Sequence, residues 1–307
     1  MTVLVTGGLG MIGAATARAL ADLGHEVVVT SHRRGDVPSF LAGRVTVESL
    51  DVTDREAFLA LGKQYGITEI VHLAGSIPGD DPVAYFRHDL DGLLNALDAA
   101  RAWGVRRFAV ASSLGNYIGR PEIPWHEELA LPEVDVPLAI IAFKKAVEPL
   151  TVHSLQGTGI EPVLLRIGSI WGPLMDPESP IITIAPYVSA IMRGEKPDAR
   201  YADDGGDFCY AADAGRAIAL LTIAETLQHR VYNVSSGSRS TNRQIAEALE
   251  AITPGLHLDL LPGRQSGPGE DPYLDISRLT AETGFTPAYD VAAAVADYVN
   301  WRTTNPR

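Results

Sequence analysis

Cysteine and basic side chains are scarce in this chain of 307 residues. The single thiol, Cys209, excludes an internal disulfide framework and a multi-cysteine metal site, so we expect it to be a buried structural residue. The 25 Lys and Arg residues face 38 Asp and Glu residues, which gives a formal net charge of −13. This deficit of positive charge argues against nucleic acid or an anionic membrane as the main partner.

Long apolar runs are also missing. No segment approaches the roughly 20 apolar residues that a membrane-spanning helix requires. The N-terminus passes from Val3-Leu4-Val5 directly into glycines, without the basic start and cleavage site of a signal peptide. We therefore expect a cytoplasmic protein that binds a small-molecule substrate, with neither a membrane nor nucleic acid as partner.

Short apolar runs alternate with helical patterns along the first 170 residues. Buried strands are predicted at residues 3–5, 27–29, 45–50, 70–74, 108–111 and 163–167. Helices are predicted over 12–23, 89–103, 242–252 and 290–302. This alternation indicates an α/β fold, a Rossmann-type doubly wound parallel sheet with helices on both faces. Such sheets bind ligands beyond the carboxyl ends of their strands.

The pattern changes after about residue 171, where several prolines indicate loops. We expect a dinucleotide-binding domain over residues 1–172, with 206–234 returning to it. The segments 173–205 and 235–307 are predicted to form a smaller C-terminal substrate-binding lobe. Within that lobe, the Gly- and Pro-rich stretch 254–272 is predicted to be a loop over the site.

A glycine-rich loop lies between the first predicted strand and the first predicted helix. Its sequence is TGGLGMIG, residues 6–13. Gly7 permits a tight turn, Gly10 lets the backbone approach a pyrophosphate, and Gly13 allows close packing of helix on strand. Backbone N–H groups at the helix start would then face negative charge. This strand–loop–helix context predicts a dinucleotide-binding loop, with a glycine turn that only packs as the alternative.

Other segments extend this pattern over nearly the whole chain. They are DV at 51–52, HLAG at 72–75, LRIGSIWGP at 165–173, DFCYAAD at 207–213 and VYNV at 231–234. In their order they resemble the extended short-chain dehydrogenase/reductase family, the NAD-dependent epimerase/dehydratase group. The resemblance implies a nicotinamide dinucleotide cofactor, an adenine contact at residues 51–52 and a ribose contact beside the HLAG segment.

The residues after the second strand bear on which dinucleotide is bound. Ser31 occupies the position at which a carboxylate would favour NAD by binding the ribose hydroxyls. Ser31 with Arg33 or Arg34 suits a 2′-phosphate, because guanidinium binds phosphate bidentately; the alternative is a solvated turn. The sequence thus favours NADP(H) over NAD(H). The predicted cofactor residues are Gly7, Gly10, Met11, Ile12, Gly13, Ser31, His32, Arg33, Arg34, Asp51, Val52, Leu73, Ala74, Gly75, Lys144 and Ile167.

The resemblance also implies three catalytic groups, and one of them is missing. In the family, a tyrosine exchanges the hydroxyl proton, a lysine four residues later binds the nicotinamide ribose, and a serine polarises the substrate oxygen. Ser113 matches the serine, and Lys144, with Glu148 at the KxxxE spacing, matches the lysine. The tyrosine position holds Ile140, whose side chain has no titratable atom and cannot carry a proton.

Changing the alignment does not restore the phenol. Placing the motif on Lys145 instead of Lys144 puts Ile141 in the tyrosine position.

Asp89 also departs from the family, because it stands where the family has an asparagine. Pro149 lies in the helix that carries Lys144 and cannot donate to the carbonyl of Lys145, so we expect a kink or an early break.

Several groups remain as replacements for the phenol. Tyr117 is the first, because the family has a substrate-side tyrosine four residues after Ser113. Lys144 itself could protonate an oxygen if burial beside the cofactor lowered its pKa. Further candidates, for which a structural role is the alternative, are Tyr85, His88, Asp89 and His126.

Three functions are compatible with these observations. Two of them, which we favour as a class, are an oxidoreductase and an epimerase or dehydratase with a non-standard acid/base, acting on a small or sugar-like hydroxy or carbonyl compound. The third, a dinucleotide-binding regulator without turnover, explains Ile140 most simply. Nucleotide sugars and other substrates stay equally open, since Arg264 and Arg278 match the family's diphosphate arginines poorly. A homodimer is a further expectation.

Overall fold

The computed structural model describes residues 1–32, 35–133, 136–179, 182–265, 267 and 269–306. The strands of its main sheet are β1 (Thr2–Thr6), β2 (Glu26–Ser31), β3 (Thr46–Ser49), β4 (Ile67–His72), β5 (Arg107–Ser113), β6 (Glu161–Ile167) and β11 (Val231–Val234). In the described part of the chain these seven strands are parallel, in the order β11-β6-β5-β4-β1-β2-β3. The predicted α/β fold with a parallel sheet is confirmed.

The helices of the described residues are α1 (Met11–Asp22), α2 (Arg55–Gln64), α3 (Pro82–Trp103), α4 (Ala139–Ser154), α5 (Ile184–Met192), α6 (Ala211–Ile223), α7 (Asn242–Ile252), α8 (Ser277–Thr283) and α9 (Val291–Arg302). One face of the sheet is covered by α1, α6 and α8 and the other by α2, α3 and α4. Side chains alternate along β1, so Val3 and Val5 pack with α1 and α6, while Leu4 packs with α2 and α3. A short 3-10 helix (Leu114–Tyr117) follows β5.

The C-terminal elements form a further core. Apolar side chains of α5, α7 and α9 pack around Trp171, Tyr210 and Tyr298, and the Trp171 ring contacts each tyrosine ring edge to face. Three pairs of short strands connect these elements. They are β7 (Ser169–Trp171) with β10 (Phe208–Tyr210), β8 (Arg200–Tyr201) with β13 (Leu260–Leu261), and β9 (Gly205–Gly206) with β12 (Ser240–Thr241). Cys209, in β10, is fully buried as predicted.

Two helix predictions are wrong at their ends. α3 begins seven residues before the predicted 89–103, because Asp81 caps it by accepting from the N–H groups of Val83 and Ala84, with Pro82 at the first turn. Of the kink or early break expected at Pro149, the early break does not occur, because α4 continues to Ser154. Among the described residues, no helix combines the length and apolar character needed to cross a membrane.

Candidate active site

The glycine loop turns sharply at the carboxyl end of β1. Gly7 has φ of +67° and its α-carbon faces the backbone of Ala74, where a methyl group would come within 3.0 Å. A methyl group at Gly13 would lie 2.3 Å from the Gly7 carbonyl oxygen. Only glycine fits at Gly13, and Gly10 precedes α1 without a side chain to cover its first N–H groups. The start of α1 therefore suits an anionic ligand.

Thr6 joins this loop to the end of β4. Its hydroxyl oxygen lies 2.9 Å from His72 Nδ1 and accepts from the N–H groups of Leu73 and Ala74. Burial lowers the pKa of His72 to about 3, helped by the charge of Lys144, so the ring is neutral and accepts from Thr6. The hydrogen bonds hold the ends of two adjacent strands in one arrangement.

A groove of about 300 Å³ runs along these strand ends. Nine of the predicted cofactor residues line it: Gly7, Gly10, Ser31, His32, Asp51, Val52, Leu73, Ala74 and Gly75. The sequence interpretation missed Thr30, Leu50 and Ser76, although each adjoins a residue that it named. His88 also lines the groove; it was predicted only as an acid/base. Met11, Ile12 and Gly13 lie in the first turn of α1, and buried Ile167 ends β6.

One end of the groove carries the residues expected to distinguish NAD from NADP. His32 Nδ1 lies 3.7 Å from Asp51 Oδ2. Hydrogen bonds from the N–H and hydroxyl of Thr53 lower the pKa of Asp51 and keep it ionised. Arg33 and Arg34 lie outside the described residues.

Lys144 lies at the sheet end, where α4 packs on β5. Its Nζ donates to the carbonyl oxygen of Ala111 over 2.8 Å. Part of the side chain remains accessible, but surrounding protein desolvates the amine. Burial lowers the pKa of Lys144 to about 8, against the opposing effect of the nearby Asp89 carboxylate. The amine can therefore change protonation state close to neutral pH.

Ile140 lies one helical turn before Lys144, at the beginning of α4. Its side chain is 37% exposed, whereas Ile141 is buried. The i,i+4 spacing places Ile140 and Lys144 on the same face of the helix. The structure thus puts an exposed aliphatic group, and no phenol, one turn from the amine.

Ser113 ends β5 and caps the 3-10 helix. Its Oγ accepts from the Gly115 N–H over 3.0 Å, and the residue is half-buried. The acceptor role leaves the hydroxyl hydrogen available for another oxygen. Lys144 bonds the carbonyl of Ala111, which is two residues before Ser113 on β5. Ser113 and Lys144 therefore lie at the same end of this strand.

Tyr117 lies in the protein interior, contrary to the substrate-side position predicted for it. Its side chain is fully buried and stacks on Trp125. The hydroxyl donates to Asn233 Oδ1 over 2.9 Å and accepts from Arg166 Nη1 over 2.8 Å. Burial raises the pKa of Tyr117 to about 12. These contacts indicate a structural residue and give a substrate no access to the phenol.

Tyr117→Phe provides a test of this assignment. Because the change leaves the buried Asn233 Oδ1 without its donor and removes one acceptor of Arg166 Nη1, we expect it to lower the free energy of unfolding by about 1–3 kcal/mol. Turnover should persist in the folded variant. Tyr65→Phe, which removes a hydroxyl that contacts Glu48 near the surface, is the control and should cost less. Urea denaturation measures the stability of both variants, and an activity assay measures their turnover. A loss of turnover in Tyr117→Phe at unchanged stability would indicate a catalytic role for Tyr117.

The remaining acid/base candidates differ in their position relative to the groove. Tyr85 is buried in α3 and packs edge-on against Phe143, and burial raises the pKa of its phenol well above the ordinary value. His126 is in a surface loop, with Nδ1 3.2 Å from Glu128 Oε2. In contrast, His88 lines the groove, and Asp89 accepts from Ser76, which also lines it.

The two arginines considered for a substrate diphosphate are paired within the protein. Arg264 binds the Asp271 carboxylate with both terminal nitrogens, one of them at 2.9 Å, and Asp271 also accepts from the Gly205 N–H. Arg278 forms an ion pair with Glu128 and donates to the carbonyl of Val231. Asp271 thus connects the end of the segment 254–272 to the backbone of Gly205, and that segment, predicted to be a loop, contains strand β13.

Comparisons with known proteins identify relatives of this chain. Human UDP-glucose 4-epimerase is 27% identical over 340 residues, which cover 99% of this chain and 97% of the relative. UDP-glucuronate 4-epimerase of Thermodesulfobacterium geofontis (strain OPF15) is 27% identical over 268 residues, covering 83% and 79%. These relatives support an NAD-dependent, epimerase-like enzyme.

Solved structures show the same fold. UDP-glucose-4-epimerase from Stenotrophomonas maltophila, with bound NAD and formylated UDP-arabinopyranose, superimposes with a TM-score of 0.84 at 23% identity, covering 99% of this chain and 98% of the other. UDP-N-acetylglucosamine 4-epimerase from Methanobrevibacter ruminantium M1, in complex with UDP-N-acetylmuramic acid, gives 0.82 at 25% identity and the same coverage. The model of the NAD dependent epimerase/dehydratase family matches residues 3–235, so the chain belongs to that family.

Proposed function

We propose that this protein is an NAD(P)-dependent epimerase or related oxidoreductase in which Lys144 replaces the missing tyrosine as acid and base. The observation that supports this most is the desolvated amine of Lys144, which donates to the end of β5 beside Ser113. The amine lies one helical turn after Ile140. A bound nicotinamide dinucleotide would supply the hydride acceptor and donor. The chain's residues supply binding, orientation and the proton.

Lys144 suits both directions of proton transfer. A pKa of about 8 leaves the free amine and the ammonium both populated near neutral pH. In the oxidation direction, free Nζ accepts the proton of the substrate hydroxyl. In the reverse direction, the ammonium donates it to the carbonyl oxygen. Ser113 Oγ, which accepts from Gly115, would donate to the same oxygen and orient it.

The cofactor is proposed to be NADP(H). Structures of similar proteins contain NAD, but here the groove has Ser31 and His32 at the end of β2, where a carboxylate would bind the ribose hydroxyls. A 2′-phosphate would meet no negative charge from those two side chains. The adjacent Arg33 and Arg34 of the sequence strengthen this preference.

The substrate is proposed to be a sugar-like hydroxy or carbonyl compound without a diphosphate. The curated relatives act on UDP-sugars. In this chain, however, Arg264 and Arg278 are neutralised by Asp271 and Glu128. A polar cavity of about 380 Å³ in the C-terminal lobe includes Arg200 and Asp204, whose formal charges cancel. Such surroundings favour an uncharged polyhydroxy ligand over two phosphates.

Thermal unfolding with added ligands tests these binding proposals together. NADPH should raise Tm more than NADH, and UDP should leave it unchanged. A ligand at about 100 times its dissociation constant adds about 2.7 kcal/mol to the free energy of unfolding. Ser31→Asp is the matched variant, because its carboxylate should repel the 2′-phosphate and reverse the order of the two cofactors.

Each possible failure of that experiment removes a different proposal. No stabilisation by either dinucleotide would refute cofactor binding, and equal stabilisation would refute the NADP(H) preference. Stabilisation by UDP would refute the proposed substrate class and leave the acid/base proposal intact.

Ile140 favours a second candidate, a dinucleotide-binding regulator without turnover. Stabilisation by NADPH without turnover across a panel of neutral sugars and UDP-sugars would support it. Turnover of any substrate by the unmodified protein would eliminate it. The homodimer stays a prediction.

A further inference from the structure

A largely apolar cavity lies in the C-terminal lobe, between α7, the start of α9 and the loop that joins β11 to β12. Its volume is about 530 Å³, larger than the groove of about 300 Å³ and the polar cavity of about 380 Å³. Small-molecule sites in proteins have volumes of roughly 300–1,000 Å³. None of the described residues that line this cavity also lines the groove, so a ligand here leaves the groove free for a dinucleotide.

Aromatic rings form one wall of this cavity, which we call the aromatic pocket. Tyr210, in β10, contacts the ring of Trp171 at a centroid distance of 5.1 Å and that of Tyr289 at 4.7 Å. The Tyr210 hydroxyl donates to Asp297 of α9, which fixes the ring at its other end. Phe208 and Tyr289 are only half-buried, so their rings are accessible to a ligand. A wall of this kind favours a flat ring, which can pack on it offset or edge-on.

Small side chains on the two helices leave the space for such a ring. Ala248 and Ala251 are three residues apart on α7 and lie on the same face of it. Ala292 and Ala294 line the pocket from α9, and Ile245, which is buried in the core of the lobe, lines it as well. The pocket therefore exists because methyl groups stand where larger side chains would fill the space between the helices.

Arg239 brings a cation into the aromatic pocket. It is half-buried, and within the described part of the chain no hydrogen bond or ion pair engages its guanidinium. A partly desolvated charge is costly unless it is paired. Asp290 also lines the pocket, but it accepts from the N–H of Ala293 and caps α9, while Glu247 is exposed to water on α7. The guanidinium is therefore available to an anionic ligand, and its planar fork matches a carboxylate.

We propose that the aromatic pocket binds a small aromatic carboxylate, with the ring against Phe208 and Tyr289 and the carboxylate on Arg239. The apolar lining favours the ring, and the guanidinium favours the anion. Phe208 also lines the polar cavity proposed for the substrate, so the bound ligand contacts a wall that the two cavities share. The site does not depend on the role of Lys144 or on which dinucleotide is bound.

Isothermal titration calorimetry of the whole chain with phenylacetate tests this site. Phenylacetamide is the matched ligand, because it keeps the ring and replaces the carboxylate with a neutral amide. We expect phenylacetate to bind at least about tenfold more tightly, since hydrogen bonds between charged groups are the stronger ones. Saturating NADPH should leave this binding unchanged. Absence of phenylacetate binding, equal binding of the two ligands or displacement by NADPH would overturn the proposal.

Arg239→Gln removes the cation and keeps a polar side chain of similar length. It should weaken phenylacetate binding by about tenfold or more and leave phenylacetamide binding unchanged. Arg200→Gln is the matched control, because Arg200 is exposed and lines the polar cavity instead. Equal losses in the two variants, or a loss in Arg200→Gln alone, would place the ligand elsewhere and overturn the proposal.

If Arg239→Gln fails to fold, Ala251→Trp tests the same pocket by filling it. Ala251 is exposed on α7 and lines the pocket, so the larger side chain should abolish binding of both ligands. Ala296→Trp, at an exposed position of α9 outside the lining, is its control and should bind both ligands like the unmodified protein. Unchanged phenylacetate binding in Ala251→Trp would overturn the proposal.

Discussion

Replacing Lys144 with methionine should lower kcat/KM by about 10²–10⁴, the contribution typical of a positioned general acid or base. Methionine keeps most of the side chain's length and removes the amine that donates to the Ala111 carbonyl. No neighbouring phenol compensates, since Ile140 lies one turn away and Tyr117 is buried. The measurement is steady-state kinetics with the best substrate from the sugar panel.

The control for this variant is Lys145→Met, in the next position of the same helix. Lys145 contacts the carbonyl of Pro132 and not β5, so its loss should leave kcat/KM unchanged. Equal effects of the two substitutions would point to damage of α4 instead of chemistry. Full activity of Lys144→Met would refute the proposed acid/base.

Removing Glu148 should cause a large loss of stability. Its carboxylate accepts from Arg166 Nε at 2.9 Å and Nη2 at 2.8 Å, from Ser112 Oγ at 2.6 Å and from Asn116 Nδ2 at 3.0 Å. These groups are buried, and Arg166 also donates to Tyr117. Breaking a buried ion pair by removing one partner costs about 3–5 kcal/mol, because the other charge stays buried without compensation. We expect that decrease in the free energy of unfolding for Glu148→Ala.

Glu178→Ala is the matched control for Glu148→Ala. Glu178 pairs with Arg193 at 2.8 Å, but both side chains are about half exposed. Exposed pairs contribute about 0.2–1 kcal/mol, so this variant should unfold almost like the unmodified protein in urea. Similar losses for the two variants would mean that the buried network does not hold β5, α4 and β6 together.

Local sequence patterns predicted most of the residues that line the groove, because these residues lie at fixed offsets from the strands. Gly7, Gly10 and Gly13 follow β1 directly, and a parallel sheet brings the ends of adjacent strands to one edge. The family resemblance likewise located Lys144. The hydrogen bonds of Ser76 to Asp89 depend on how α3 packs beside the end of β4, which no spacing along the chain encodes.

Tyr117 shows why position after a strand does not determine access. Its partners, Arg166 of β6 and Asn233 of β11, are 49 and 116 residues away in sequence. Their burial around the phenol follows from the strand order in the sheet. The ion pair of Arg264 with Asp271 could not be predicted from the sequence either, because a residue type gives the charge of a side chain and not the partner that neutralises it.

The pH dependence of kcat/KM for substrate oxidation tests the central proposal most directly. If the free amine of Lys144 accepts the proton, activity must be low where the amine is protonated and must rise with pH around its pKa of about 8. In the reverse direction the profile should fall over the same range, and Lys144→Met should lose this ionisation in both directions. A value of kcat/KM for oxidation that does not change around pH 8 would contradict the assignment of the proton to Lys144. The same holds if the rise with pH persists in Lys144→Met.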